Sequence, residues 1–174
     1  AIEVTGDIKA ENATSSLVEV TLLGEYPFLQ NFIPTSQNVM LTNGGGMAIP
    51  MGIPLNLSNG NTMLVNITNN GNYPAYPLLT FTGLLTNPSL AITNNGITQT
   101  LSLAQTIADS AHSIVVDNYN RTVLLQPSGN VGRQYMTGTF WTVPVGTSSV
   151  QLTTTNGGDT GSCLLYFADT WLNI

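Results

Sequence analysis

Apolar and polar side chains alternate with a period of two along much of this chain. In residues 17–23, Val18, Val20 and Leu22 fall on one face and Glu19 and Thr21 on the other, and Met63, Val65 and Ile67 alternate likewise with Asn66 and Thr68. That period marks strands with one buried and one wet face. Residues 77–84 are less regular, yet Leu79 and Phe81 still oppose Thr80 and Thr82. Further strands are expected over 97–103, 113–117, 121–126, 138–143 and 148–154. The run 162–172 is apolar on both faces: Cys163, Leu165, Phe167 and Trp171 stand against Leu164, Tyr166, Ala168 and Leu172. It reads as a central strand covered on both sides. Only 103–111 has a helix-compatible composition, and it is short.

The separators are turn chemistry. Asn43-Gly44-Gly45-Gly46, Asn59-Gly60, Asn69-Asn70-Gly71, Asn94-Asn95-Gly96 and Asn156-Gly157-Gly158 all supply residues that tolerate positive φ. Asp117-Asn118-Tyr119-Asn120 sits between two β-branched runs as a hairpin connection. Short strands at this spacing, without any alternation of strand and helix, predict an all-β antiparallel sandwich or jelly roll. A composition shift near 32–37 divides the chain: five of the nine acids and the only lysine precede it. The expectation is an arm with one or two strands over residues 1–35 and a β-sandwich domain over 36–174.

Charge narrows the function classes. Charged residues make up 7% of the 174, against about 25% in an average domain, so solubility rests on Asn, Thr, Ser and Gln, and burial of surface in an oligomer is favoured. Net charge is −6, and Lys9, Arg121 and Arg133 are the only fixed cations. Three scattered cations cannot line a phosphate groove, which excludes nucleic acid and anionic membrane as partners. No leader of charged then apolar residues opens the sequence. No apolar run approaches the roughly 18 residues of a spanning helix. The first residue is Ala1 rather than Met, which leaves room for a longer chain. Four Asn-x-Ser/Thr sequons, at Asn12, Asn56, Asn66 and Asn120, are what chance gives in so Asn- and Thr-rich a sequence.

The inventory of chemistry is short. Cys163 alternates with Leu165 and Phe167, the pattern of a small buried hydrophobe rather than a reactive thiol. The single histidine, His112, has Asp109 three residues before it and no further ligand-spaced partner, so a loop hydrogen bond is expected there. In the main domain, Asp117 and Asp159 lie in turns and Asp169 ends an apolar run, each in the position of a backbone-capping carboxylate. Neither a nucleophile elbow nor a phosphate loop is present. No catalytic residue, cofactor site or metal site is assigned, and the chain is expected not to be an enzyme. Sugar binding asks for less: an aromatic platform with polar neighbours. Trp141, Tyr119 and Tyr135 are the candidates for such a contact, against the simpler reading that aromatics of this number fill and rim the core.

The order of the punctuation carries a resemblance. Gly44-Gly45-Gly46-Met47-Ala48-Ile49-Pro50-Met51-Gly52-Ile53-Pro54-Leu55 is followed by a strand into Asn69-Asn70-Gly71. Then come the proline-led strand Pro74-Ala75-Tyr76-Pro77-Leu78-Leu79-Thr80-Phe81-Thr82-Gly83 and the stop Asn87-Pro88. The hairpin strands Ile114-Val115-Val116-Asp117 and Arg121-Thr122-Val123 follow, then Thr139-Phe140-Trp141-Thr142-Val143-Pro144 and an aromatic closing strand. From about Asn38 onward this series resembles the C-terminal domain of siphophage distal tail proteins, the Dit family. Upstream, Val18-Glu19-Val20-Thr21-Leu22-Leu23-Gly24-Glu25-Tyr26-Pro27 is similar to that family's strand entering an acidic-x-Pro turn. The resemblance implies a galectin-like β-sandwich in a structural, non-enzymatic component of the phage tail tip or baseplate. Implied with it are contacts with other tail proteins, self-association in a ring of six or three copies, and a place in the virion after assembly in the host cytoplasm. The alternative is a receptor- or carbohydrate-binding module used in host adsorption. The sugar clamp of true galectins, His-x-Asn-Pro-Arg, is missing: Ser89 follows Asn87-Pro88, and His112 stands in another context. No binding residues carry over.

Overall fold

A computed structural model describes residues 28–41 and 64–172 of the chain. Its strands are β1 (Leu29–Gln30), β2 (Thr35–Met40), β3 (Leu64–Asn69), β4 (Leu78–Thr82), β5 (Leu85–Thr86), β6 (Ser89–Asn94), β7 (Ile97–Leu103) and β8 (Thr106–Ile107). They continue with β9 (Ser113–Asp117), β10 (Thr122–Gln126), β11 (Asn130–Val131), β12 (Met136–Gly138), β13 (Gly146–Thr153), β14 (Ser162–Phe167) and β15 (Thr170–Trp171). One 3₁₀ turn, Arg133–Tyr135, precedes β12.

Two antiparallel sheets form an all-β sandwich: one of six strands in the order β11-β10-β9-β4-β14-β2, one of five in the order β12-β7-β6-β13-β3. Period-two alternation fixes which side chains meet between them. From the six-stranded sheet come Val39, Leu79, Phe81, Ile114, Val116, Val123, Cys163, Leu165 and Phe167; from the other, Val65, Ile67, Leu90, Ile92, Leu101, Leu103, Val150 and Leu152. Two short pairs, β1 with β15 and β5 with β8, lie outside the main sheets. The β6–β7 hairpin turns on Asn95 and Gly96, at φ 48° and 77°, the two left-handed residues that a tight hairpin needs.

Most expected strands are present, with four differences. Residues 103–111 hold no helix; Ile107 is buried and pairs with Leu85 through β8. Residues 138–143 are not a strand. Pairing with β7 ends at Gly138 (φ 85°); past it Thr139 N–H still donates to the Thr100 carbonyl at 3.2 Å, and Val143 exchanges both backbone bonds with Ala75 at 2.8 and 3.0 Å. The run 162–172 splits: β14 stops at Phe167, and β15 joins the separate pair with β1. β14 is central between β4 and β2, but its second face is open, with Leu164 41% and Tyr166 46% exposed. Among strands of five or more residues, two were not expected at all, β2 at the sheet edge and β6 between β7 and β13. The strand expected over 17–23, Met63, and the glycine and proline punctuation of 43–60 lie outside the described residues.

Candidate functional site: a tyrosine-lined groove

The two outward faces differ in kind. On the five-stranded sheet the outer positions are hydroxyls and amides apart from Ala91 and Leu64, and hydroxyls pair across strands: Ser89 with Ser102 and Thr93 with Thr98, both at 2.8 Å. On the six-stranded sheet the register places Leu164, Thr80, Val115, Leu124 and Val131 in one row across five strands. The neighbouring row runs Ser36, Tyr166, Leu78, Asp117. No core packing requires Leu78, Leu164 or Tyr166 to be apolar, since all three point away from the interior.

That second row floors a groove of 340 Å³. Tyr166 and Leu78 form its base, the loop Gln30, Asn31, Phe32 and Pro34 one wall, and the turn Asp117, Tyr119 and Asn120 with Tyr76 the other. The second wall is held rigidly. Asp117 Oδ1 accepts the backbone N–H of Tyr119 and of Asn120, both at 2.9 Å, and its Oδ2 accepts Asn120 Nδ2 at 2.8 Å. Tyr76 and Tyr119 meet edge to face, centroids 5.2 Å apart, the arrangement that aromatic quadrupoles favour. Beneath the turn, the buried Asn118 side chain donates to the Pro77 carbonyl at 2.9 Å and accepts the backbone N–H of Trp141 at 3.0 Å. Phe32 projects into solvent, 98% exposed.

The three aromatics singled out from sequence are separated. Tyr119 lines the groove. Trp141 is 1% exposed and belongs to the core, so it is corrected from platform candidate to packing residue. Its indole N–H has no partner among the described residues. An orphaned donor costs about 1–3 kcal/mol, less than the roughly 3–5 kcal/mol that truncating a buried aromatic of this size loses, so burial wins. Tyr135 is half-buried on the 3₁₀ turn and outside the groove. Sequence reasoning missed Tyr166 and Leu78 and did not select Tyr76 among the available aromatics. Their signal was present: had 162–172 been read as one-sided, Tyr166 and Leu164 would have stood out as exposed apolar positions.

The carboxylates are engaged in local structure. Asp109 accepts the Ala111 and His112 N–H and pairs with His112 Nδ1 at 2.7 Å; the hydrogen bond from the ring holds its carboxyl below the usual range. Asp159, fully buried, takes Thr86 N at 2.6 Å, Thr86 Oγ1 at 3.1 Å and Asn156 Nδ2 at 3.1 Å, tying β5 to the loop before β14. Asp169 accepts the Asn70 N–H and side-chain amide, both at 3.1 Å. Burial pushes the Cys163 thiol far up, as for a core residue. Among the described residues no group of three His, Cys, Asp or Glu side chains is placed to hold a metal, and no helix is long and apolar enough to cross a membrane.

No protein-family model matches the chain, and no curated protein matches its sequence. Among solved structures it is similar to the crystal structure of the SPP1 Dit protein, described there as a paradigm of hub adsorption apparatus in Gram-positive infecting phages. The TM-score is 0.60 over 88% of this chain and 52% of that one, at 8% identity. The likeness is one of fold, and the chain spans about half the length of its Dit counterpart. At that level the resemblance read from the punctuation of the sequence is borne out.

Proposed function

We propose that this chain is a structural module of a phage tail tip, a distal tail or baseplate component that acts through contacts with other tail proteins. The observation that carries the reading is the sandwich's likeness to SPP1 Dit, a protein of an adsorption apparatus. The apolar outer face of the six-stranded sheet supports it, because unpaired apolar surface on a sparsely charged domain marks interaction sites. Self-association in a ring of six or three, an arm over residues 1–35 beside a domain over 36–174, assembly in the host cytoplasm and the lack of any catalytic role belong to the same proposal. Antibody against the chain should decorate the tail tip in electron micrographs of intact virions. Label absent from the tip, or confined to the capsid, would refute the reading. Host recognition by a glycan or receptor is the second reading, favoured by one observation: Tyr119 lines a groove with two further tyrosines.

A further inference from the structure

The three Asn-Gly pairs among the described residues, at Asn70, Asn95 and Asn156, share one latent reaction and meet it in different surroundings. A backbone nitrogen that follows asparagine can attack the side-chain Cγ, and a glycine there carries no Cβ to hinder the approach. The nitrogen–Cγ bond forms, the Cγ–Nδ2 bond breaks, and ammonia leaves with the proton from the attacking nitrogen. Water then opens the cyclic imide at either carbonyl, giving aspartate or isoaspartate. Nothing is oxidised or reduced, and water is the only co-reactant.

Hydrogen bonding decides which pair can start. At Asn70 the nucleophile is occupied: the buried Gly71 N–H donates to Asn69 Oδ1 at 3.0 Å, and the Thr170 backbone stands against Gly71. The Asn70 amide itself donates to Asp169 Oδ2 at 3.1 Å. At Asn156 the electrophile is held from both ends, Nδ2 donating to Asp159 Oδ1 at 3.1 Å and Oδ1 accepting the Gly158 N–H at 3.2 Å. Ring closure at either pair must first break these bonds. At Asn95 neither the side chain nor the Gly96 N–H has a hydrogen-bond partner among the described residues. Both residues are exposed beyond the last ladder pair, Asn94 with Ile97, and a Cβ placed at Gly96 meets nothing within 4 Å, so the chain has room to turn. Its neighbour Asn94 is tied instead, donating to the Thr147 carbonyl at 2.9 Å and to Ser148 Oγ at 3.1 Å.

We infer that Asn95, at the tip of the β6–β7 hairpin, is the one of these three asparagines that converts spontaneously to aspartate and isoaspartate in the folded chain. Each event adds one negative charge to a chain of net charge −6. The isoaspartate product also routes the backbone through an extra methylene, in a turn whose twist depends on two left-handed residues, at φ 48° and 77°. The test ages the full chain in mildly alkaline buffer, native and in urea, and follows each of the three pairs by peptide mapping with mass spectrometry. Isoaspartate is identified in the peptides by enzymatic methyl transfer. In the native chain Asn95 should convert at least about tenfold faster than Asn70 or Asn156, the rate factor expected from the hydrogen bonds that must break at the other pairs. In urea, where those bonds are gone, the three rates should come together within about threefold. Any of three results overturns the inference. One is native conversion at Asn70 or Asn156 that matches Asn95; another is an Asn95 that stays intact in the native chain while the urea-unfolded chain converts. The third is a lead for Asn95 that persists undiminished in urea, which would make it a property of local sequence and not of the fold.

Discussion

Asn69 offers the sharpest quantitative test of the structure. Its side chain is buried at the end of β3, where Nδ2 donates to the carbonyls of Tyr73 (2.9 Å) and Val143 (3.1 Å) and Oδ1 accepts the Gly71 N–H (3.0 Å). It thus joins the 69–73 turn to the segment leading into β13. Asn69→Ala deletes three hydrogen bonds at about 1 kcal/mol net each, and leaves the buried Gly71 N–H without its partner. The expected loss is about 3–4 kcal/mol, a large share of the roughly 5–15 kcal/mol that holds a domain folded. With a urea m-value near 2 kcal/mol/M, the midpoint should fall by about 1.5–2 M, read from tryptophan fluorescence because Trp141 is buried. Asn69→Asp separates the two halves of the site: it keeps an acceptor for Gly71 but aims a carboxylate at two carbonyl oxygens. It should be less stable than the alanine variant. An aspartate variant equal to or better than alanine, or an alanine cost below about 1 kcal/mol, would refute this account of the turn.

Glycine should be required at Gly71 and less costly to replace at Gly96: a Cβ at Gly71 overlaps the Thr170 carbonyl, while one at Gly96 meets nothing within 4 Å and only the left-handed backbone (φ 77°) opposes it. Thermal unfolding should show Gly71→Ala costing well above the roughly 1–2 kcal/mol of a left-handed alanine that Gly96→Ala pays. The His112 hydrogen bond holds the Asp109 carboxyl low, so this bond favours the folded 109–112 turn above the ordinary carboxylate pKa. The contribution fades as pH falls through the lowered value. Carbonyl NMR titration should show the Asp109 midpoint moving up in His112→Ala, and an unmoved midpoint would break the assignment. Cys163, wholly buried with its thiol pushed far up, should stay unmodified by a disulfide reagent at pH 8 in the native protein and react fully in denaturant.

How much of this was legible in the sequence depended on whether one strand face was apolar. β3, β4, β9 and β13 alternate between buried and wetter positions, β7 does so only at its end and β10 only at Val123, and the residues they bury are ones that periodicity selects. β2 reads Thr-Ser-Gln-Asn-Val-Met, and as an edge strand it buries only Val39 fully, too weak a pattern to register. β6 was hidden by its flanks: Asn87-Pro88 and Asn94-Asn95-Gly96 are both strong turn signals and leave only Leu90 and Ile92 between them. The groove was legible only in part. Tyr119 could be suspected from its hairpin turn. Tyr166 and Leu78 become its neighbours only through the β14–β4–β9 register, a long-range pairing that no local window contains.

The contrast between the two outer faces bears on why the groove lies where it does. Both sheets face inward with apolar side chains, the six-stranded one adding Phe81, Phe167 and Cys163, and both carry almost no charge, so folding alone would be satisfied by Thr and Ser on either outer surface. The five-stranded sheet takes that course, with hydroxyls paired across strands at Ser89–Ser102 and Thr93–Thr98. The six-stranded sheet instead places Leu164 on β14, next to its edge strand, and Tyr166 and Leu78 beside it, all away from the core. Exposed apolar side chains scattered singly need no explanation, but a contiguous set spanning neighbouring strands does. It adds nothing to the interior and carries a risk of nonspecific association that the polar sheet avoids. Selection for contact accounts for such a surface where selection for folding does not, and the tyrosine groove is the part of it with walls.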